Sequence, residues 1–344
     1  MKKSLLALAA LTAFAGAASA QSSVTLFGIV DAGFARVSAG GNSAMGISNS
    51  GYNSSRLGFR GVEDLGGGLK ASFHLEGQLF NDVGQGSNAT TGFNFLRRST
   101  VSLMGGFGEI RVGRDYTPTF WNTTVYDPFG TNGIGQSMTP AMGGGNQSAA
   151  VRSNNSISYF TPAMGGISVQ VMKGFGEQLS NAANKKENDY LGFRVGYAAG
   201  PISTHVAYGK TEGATDAADV KYMNAGFSFN AGMFVPIVTF AQEKTGAGAK
   251  VRGVLAGLNV NLGAGTIRTA YSKYDIANSG NDWNKLALGY VHNLSKRTAV
   301  YATYARVSND GAQTKSVANN GISAGASSAG GSSSGMEFGV RHSF

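Results

Sequence analysis

The sequence has no cysteine, little charge and, beyond residue 20, no apolar run of 18 residues. Without cysteine there is neither a disulfide framework nor a thiolate metal site. Without a long apolar run, no transmembrane helix is expected in the mature chain. Asp, Glu, Lys and Arg together make up 14% of the chain, against a usual ~25%. Aromatic residues at 10% argue against intrinsic disorder. The net charge of +9 is spread thinly, whereas a nucleic-acid binder concentrates positive charge in a patch or stripe. What is abundant is glycine, with 52 of 344 residues. It shows no G-X-Y period, which excludes collagen. At ~1 kcal/mol per helix-interior site relative to Ala, so much glycine also opposes a helix-rich fold.

Residues 1–20 read as a cleaved export signal. Lys2 and Lys3 form its positive start, residues 5–18 its apolar stretch, and Ala18-Ser19-Ala20 its small-x-small cleavage site. The remaining domain is 21–344, with a net charge of +7 once the two lysines are gone.

The mature chain is dominated by alternation with period two. Leu69, Ala71, Phe73, Leu75, Gly77 and Leu79 alternate with Lys70, Ser72, His74, Glu76 and Gln78. On a helix those charges would scatter round the circumference; on a strand they share one side. The pattern recurs in about sixteen segments, starting near 24, 54, 69, 97, 109, 152, 166, 189, 202, 221, 233, 251, 265, 284, 298 and 335. Pro236 is unusual for a paired strand and weakens the 233–242 segment. Short turns alternate with longer Gly/Ser/Asn-rich stretches at 38–53, 81–94, 174–188, 209–220 and 309–334, and the longest runs over 116–150. That rhythm fits an up-and-down antiparallel sheet with its long loops at one end.

A soluble sandwich of sixteen strands would hide its apolar faces and need a well-charged exterior. Here charge is scarce, and the apolar faces can meet lipid if the sheet closes and leaves no unpaired edge. The composition and periodicity therefore specify an all-β, closed membrane barrel.

Several segments carry a family resemblance: Ser23-Val24-Thr25-Leu26-Phe27-Gly28; Ser55-Arg56-Leu57-Gly58-Phe59-Arg60-Gly61; Gly105-Gly106-Phe107-Gly108 followed by Arg111-Val112-Gly113-Arg114; Asn155-Ser156-Ile157-Ser158-Tyr159; Leu294-Ser295-Lys296-Arg297-Thr298-Ala299-Val300-Tyr301-Ala302-Thr303-Tyr304; and Gly339-Val340-Arg341-His342-Ser343-Phe344. In these the chain resembles the general diffusion porins of Gram-negative outer membranes, most closely the beta-proteobacterial branch. The resemblance implies a 16-stranded antiparallel transmembrane barrel, a homotrimer, and a long third extracellular loop (116–150) folded into the lumen. It implies passive passage of ions and small hydrophilic solutes. It also implies contact with outer-membrane lipid and lipopolysaccharide, and a terminal Phe344 read by the barrel-assembly machinery. An ordinary lipid-facing aromatic would serve equally at that position.

The 116–150 loop holds Pro118, Trp121, Tyr126, Pro128, Phe129 and Pro140, which stiffen and pack it, and a structureless loop of that length usually has a function. From residue 116 to 176 its one acid is Asp127. Enteric relatives carry Pro-Glu-Phe-Gly-Gly there; this chain has Asp127-Pro128-Phe129-Gly130 and lacks the glutamate. Opposite the loop the family places a wall of arginines, matched here by Arg56 and, four residues on, Arg60. Arg97 and Arg98 follow; alternation from Val101 and Leu103 points Arg98 inward, motif alignment selects Arg97, and both stay open. Arg111 shares the wet phase with Glu109, Arg152 shares a face with Asn154 and Ser156, and Arg114 stands at the loop mouth out of simple phase. An arginine facing mid-bilayer lipid costs ~2–4 kcal/mol, so the inward phase is favoured. Basic rings favour anions, which makes an anion-preferring constriction the expected arrangement.

No metal site, cofactor or nucleic-acid partner is expected, since His74, His205, His292 and His342 lie far apart in sequence and no H-E-x-x-H occurs. Ser203 and His205 share a strand face, as do Ser72 and His74, but i, i+2 side chains sit ~6.6 Å apart by rise, too far for a Ser–His bond. No enzyme activity is expected. A substrate-specific channel, for which Tyr301 is an inward aromatic, and a barrel serving as surface adhesin or structural element stay open beside the diffusion pore.

Overall fold

The computed structural model describes residues 23–86, 92–137, 151–162, 164–317 and 321–344. Residues 1–22, which include the expected export signal at 1–20, and residues 138–150 of the long loop lie outside the described residues.

In chain order the elements are β1 (Ser23–Ala39), β2 (Asn42–Asn49), β3 (Arg56–Gly66), β4 (Leu69–Phe80), β5 (Gln85–Gly86), β6 (Arg98–Gly105), β7 (Gly108–Tyr116), helix α1 (Pro118–Val125), β8 (Arg152–Phe160), β9 (Ile167–Gly174), β10 (Tyr190–Ala199), β11 (Ile202–Thr211), β12 (Val220–Phe229), β13 (Phe234–Thr245), β14 (Lys250–Leu262), β15 (Gly265–Ile276), β16 (Trp283–Asn293), β17 (Thr298–Asn309) and β18 (Ser332–Ser343). Sequential antiparallel pairing runs round the whole set, and β1 pairs with β18 from Ile29↔Ser343 to Ala39↔Ser333, so the sheet has no free edge. β2 and β3 lie on the same side of β1, pairing with its second and first halves, and form one interrupted wall strand. β5 is a two-residue antiparallel partner of the end of β4, Leu79↔Gly86 and Phe80↔Gln85, and adds no strand to the wall. The wall is thus a closed 16-strand antiparallel β-barrel.

Each of the sixteen segments expected from alternation begins within three residues of a wall strand. Pro236 is accommodated because the ladder with β12 stops at Ile237↔Ser228, one residue before it, so no donor is missed on that side.

The 38–53 stretch is a correction. It was expected to be a longer connection, but most of it is strand: β1 runs on to Ala39, turns through Gly40 and Gly41, and returns as β2. Both glycines have positive φ (57° and 84°), as a tight hairpin turn demands. The break between β2 and β3 is organised by Asp31, whose Oδ2 accepts the backbone N–H groups of Tyr52 (2.8 Å) and Asn53 (2.6 Å).

Burial is inverted relative to a soluble protein. The exposed side chains are apolar, among them Leu191, Phe193, Val238, Leu288, Phe338 and Val340. The buried ones on the opposite phase are largely polar, including Glu76, Thr100, Ser102, His205, Asn224, Arg268 and Glu337. Leu75 and Phe73 take the outward phase too, half-buried. Phe344 closes the seam by exchanging two backbone bonds of 3.1 Å with Gly28, and its ring lies over that glycine, where a Cβ would come within 2.3 Å of it.

Leu288, exposed in the centre of β16, tests the lipid-facing phase. Leu288→Arg is expected to lower the stability of the vesicle-inserted barrel by about 2–4 kcal/mol. Urea titration of folding would check this, and an unchanged midpoint would contradict the assignment of that face to hydrocarbon.

Candidate functional site

The long connection after β7 begins with an N-capped helix. Thr117 Oγ1 accepts from Phe120 N (3.2 Å), and Pro118, at the first helical position, needs no donor partner. The helix is held against the wall by polar contacts. Asn122 Nδ2 donates to Asn224 Oδ1 (2.8 Å), Asn224 Nδ2 donates to Thr119 O (2.8 Å), and the Thr123 and Tyr222 hydroxyls lie 3.2 Å apart. Just beyond, the Tyr126 hydroxyl lies 2.8 Å from Ser203 Oγ and 2.6 Å from His205 Nδ1. The Ser203/His205 pair noted on one strand face is therefore a docking point for the loop.

The segment then crosses to the far wall. Phe129 is buried with the Arg268 guanidinium 4.7 Å above its ring, Ile134 N donates to Glu337 Oε1 (3.1 Å), and Lys285 Nζ donates to Gln136 O (2.6 Å). Asp127 shapes this crossing. Its carboxylate accepts from Phe129 N (2.9 Å), Thr131 N (3.0 Å), Ser137 N (2.8 Å) and Ser137 Oγ (2.9 Å). Pro140 lies outside the described residues.

Facing the segment is a network of basic side chains. Arg97 Nε donates to Glu76 Oε1 (2.6 Å), its Nη1 to Gln78 Oε1 (2.6 Å) and its Nη2 to the Tyr116 hydroxyl (2.8 Å). Arg152 donates to the same hydroxyl from Nη2 (2.8 Å) and lies 4.4 Å over the ring. Arg56 reaches Glu76 Oε1 at 3.3 Å. Arg56, Gln78, Arg97, Tyr116 and Arg152 line a cavity of about 780 Å³ whose other side is formed by residues of the 127–132 segment, with Glu76 behind the arginines and outside the lining. The charged residues lining it are Arg56, Arg97, Arg152 and Arg268 with a single acid, Asp127.

The other candidates separate from this group. Arg98 stands opposite Glu76 in the ladder, with Nε 3.7 Å from Asp115 Oδ2. Both members of the Arg97/Arg98 doublet thus approach inward carboxylates, but only Arg97 lines the cavity. That is possible because Arg97 precedes the first residue of β6 and escapes its alternation. Arg60 is exposed, with Phe27 5.0 Å beneath it, and Arg111 is tied to Glu109 and Asp115. Arg114 is half-buried and donates to Leu96 O (2.6 Å) and to Asn154 Oδ1, outside the cavity lining. Tyr301, the inward aromatic, donates to Asp31 Oδ1 (2.7 Å).

Sequence reasoning missed Arg268, Lys285 and Glu337 as loop contacts. Each sits on the wet phase of its strand, and a charge at such a mid-strand position was the available signal. Arg268 is 5% exposed and lies between the Tyr52 and Phe129 rings.

Asp127→Ala would leave the amides of Phe129, Thr131 and Ser137 without their acceptor. It is expected to cost about 1–3 kcal/mol and to open the 116–150 loop to protease. Unfolding and limited proteolysis of the inserted protein check this; wild-type behaviour in both would show that Asp127 does not hold the loop.

Comparison with known proteins matches this architecture. The family of Gram-negative porins matches residues 7–312. The chain is 43% identical over 356 aligned residues to outer membrane porin protein 32 of Delftia acidovorans, covering all of both chains. It is 30% identical to an outer membrane porin protein of Bordetella pertussis, covering 88% of this chain and 93% of that one. Among solved structures, the anion-selective porin from Comamonas acidovorans superposes with a TM-score of 0.85 at 40% identity, over 94% of this chain and 100% of that one. With a closed barrel, an apolar exterior and relatives matched from end to end, the chain belongs to the Gram-negative porin family: it is an outer-membrane diffusion channel and not an enzyme.

Proposed function

We propose that the 116–150 loop narrows the lumen and that the pore prefers anions. The observation that carries this reading is the charge of the cavity beside the loop, four arginines against one aspartate whose carboxylate already serves four donors of its own loop. An anion entering that space meets guanidiniums on both sides, Arg56, Arg97 and Arg152 on one and Arg268 on the other. A cation meets no uncommitted carboxylate among the lining residues. Basic rings lower the barrier to anions and acidic rings the barrier to cations. The missing glutamate of the enteric loop motif acts in the same direction. The name of the Comamonas acidovorans structure, an anion-selective porin, supports the extension to this chain.

Arg97 and Arg152 sharing one phenol oxygen is costly in the absence of an anion, because two like charges are held together in a partly buried site. A passing anion relieves that repulsion, so the site attracts without a shape-specific pocket. Small hydrophilic solutes of either sign or none cross by diffusion, with anions fastest. The assembled unit is a homotrimer with its long loops at the cell exterior, and Phe344 is the segment read during barrel assembly.

Reversal potentials across a planar bilayer with a salt gradient test the preference. The wild-type sign is expected to indicate anions, unchanged between pH 6 and pH 9 because guanidinium does not titrate there. Arg97→Gln with Arg152→Gln is expected to move the reversal potential towards the cation limit. A cation-selective wild type would overturn the reading.

A further inference from the structure

Helix α1, which opens the long loop, is amphipathic in the reverse sense. An amphipathic helix in water ordinarily buries its apolar stripe against the core. Here the buried face is polar, formed by Thr119, Asn122 and Thr123, and the last two bond to Asn224 and Tyr222 on the wall. The sides left to the water carry Phe120, Trp121 and Val125. Trp121 is 45% exposed, and together with Phe120 it lines the same cavity as Arg97 and Arg152. The wall contacts hold the helix through its other face, so packing against the wall does not account for an indole at position 121.

Tyr116 connects this apolar corner to the arginines. Its ring stacks on Phe120, with centroids 5.1 Å apart and planes at 22°, and lies 6.1 Å from the Trp121 ring. Its hydroxyl accepts from both Arg97 and Arg152. The indole and the two guanidiniums are thus separated by the length of a phenol. The guanidiniums differ in what they have left to offer. Arg97 uses Nε, Nη1 and Nη2 on Glu76, Gln78 and Tyr116. Arg152 uses Nε on Arg97 O and Nη2 on Tyr116. Among the described residues its Nη1 has no partner and no carboxylate lies within 4.0 Å of it.

A flat ring bearing a carboxylate matches this pair of groups. Carboxylate and guanidinium meet in a forked, charge-assisted pair, and an aromatic ring gains an offset-stacked contact on an indole. A solute of the phenol's own length makes both contacts at once. Chloride or a small aliphatic acid makes only the first, and a neutral aromatic only the second.

We propose that Trp121 and Arg152 form a subsite for aromatic carboxylates, on which such solutes pause as they cross the pore. The subsite rests on the anion-preferring reading above: the arginines draw in any anion, and the indole adds a contact that only a ring can use. Trp121 is then a specificity-determining residue of the channel.

Planar-bilayer recordings of the full-length protein in potassium chloride test this, with benzoate, cyclohexanecarboxylate and benzamide added in turn at neutral pH. The two acids share charge and overall size, but only benzoate is flat; benzamide is flat and uncharged. Benzoate is expected to reduce the chloride current saturably, at several-fold lower concentration than either of the others. Trp121→Ser should raise the benzoate concentration for half-block by roughly 3- to 10-fold, to the level of cyclohexanecarboxylate. Trp121→Phe, which keeps a ring, should stay closer to the wild type, and Arg152→Gln should weaken the block by both acids. Equal block by the two acids in the wild type, or unchanged benzoate block in Trp121→Ser, would overturn the subsite. The wild-type comparison needs no variant, so poor folding of Trp121→Ser does not remove the test. Reversal potentials without organic acid keep the two readings apart. A cation-selective wild type defeats the pore reading, whereas an anion-selective wild type that does not distinguish the two acids defeats the subsite alone.

Discussion

The closed ladder is the constraint on which the other features depend. In hydrocarbon an unpaired backbone group costs several kcal/mol, so the sheet must end where it began, and it does so through eleven residue pairs between β1 and β18. Closure fixes which phase of every strand meets lipid, and hence which side chains can be polar. It also brings the terminal Phe344 onto Gly28, where the absent side chain leaves room for its ring. The glycine content that opposed helices is tolerable in such a wall, because ladder bonds to both neighbours restrain each backbone.

Once the apolar groups have gone outward, the interior must be organised by polar forces. Many anchors of the long loop are hydrogen bonds: Asn122 to Asn224, Tyr126 to Ser203 and His205, Ile134 to Glu337, Lys285 to Gln136. Phe129 and Ile134 add an apolar anchor, buried in one cluster with Val37, Leu255, Ala287 and Val307, and Phe129 also lies against a guanidinium. These anchors come from β11, β12, β16 and β18, so the loop is braced on opposing walls, while Asp127 folds its middle by collecting local amides. A carboxylate used in this way shapes the loop and leaves its charge largely satisfied, which is why one acid in the cavity does not cancel four arginines.

The wall was legible in the sequence because period-two alternation is a local signal, readable one strand at a time. The hairpin through Gly40 and Gly41 was not, since Ser- and Gly-rich strand and Ser- and Gly-rich loop have the same composition, and only pairing with β1 distinguishes them. Arg56 could be placed by motif, whereas the alternation that grouped Arg152 with Asn154 is broken at Asn155, whose φ is 46°, and Asn154 is exposed while Arg152 lines the cavity. Arg97 could not be placed by phase, because it lies one residue before its strand begins. Arg268, Lys285 and Glu337 were hidden for a different reason: their role depends on which part of a distant loop reaches them, and no local pattern encodes a contact between residues 134 and 337 or between 136 and 285.

Charge scarcity makes the remaining charges informative. A chain with 14% charged residues that faces lipid over most of its exterior has strong reason to place each ionised group where solvent, a partner or a headgroup can receive it. Inside, that condition gathers arginines beside the loop and ties Arg56 and Arg97 to the buried carboxylate of Glu76. At the cavity the same condition leaves the Asp127 carboxylate to the donors of its own loop, so that Arg56, Arg97, Arg152 and Arg268 are the charges that face the open space.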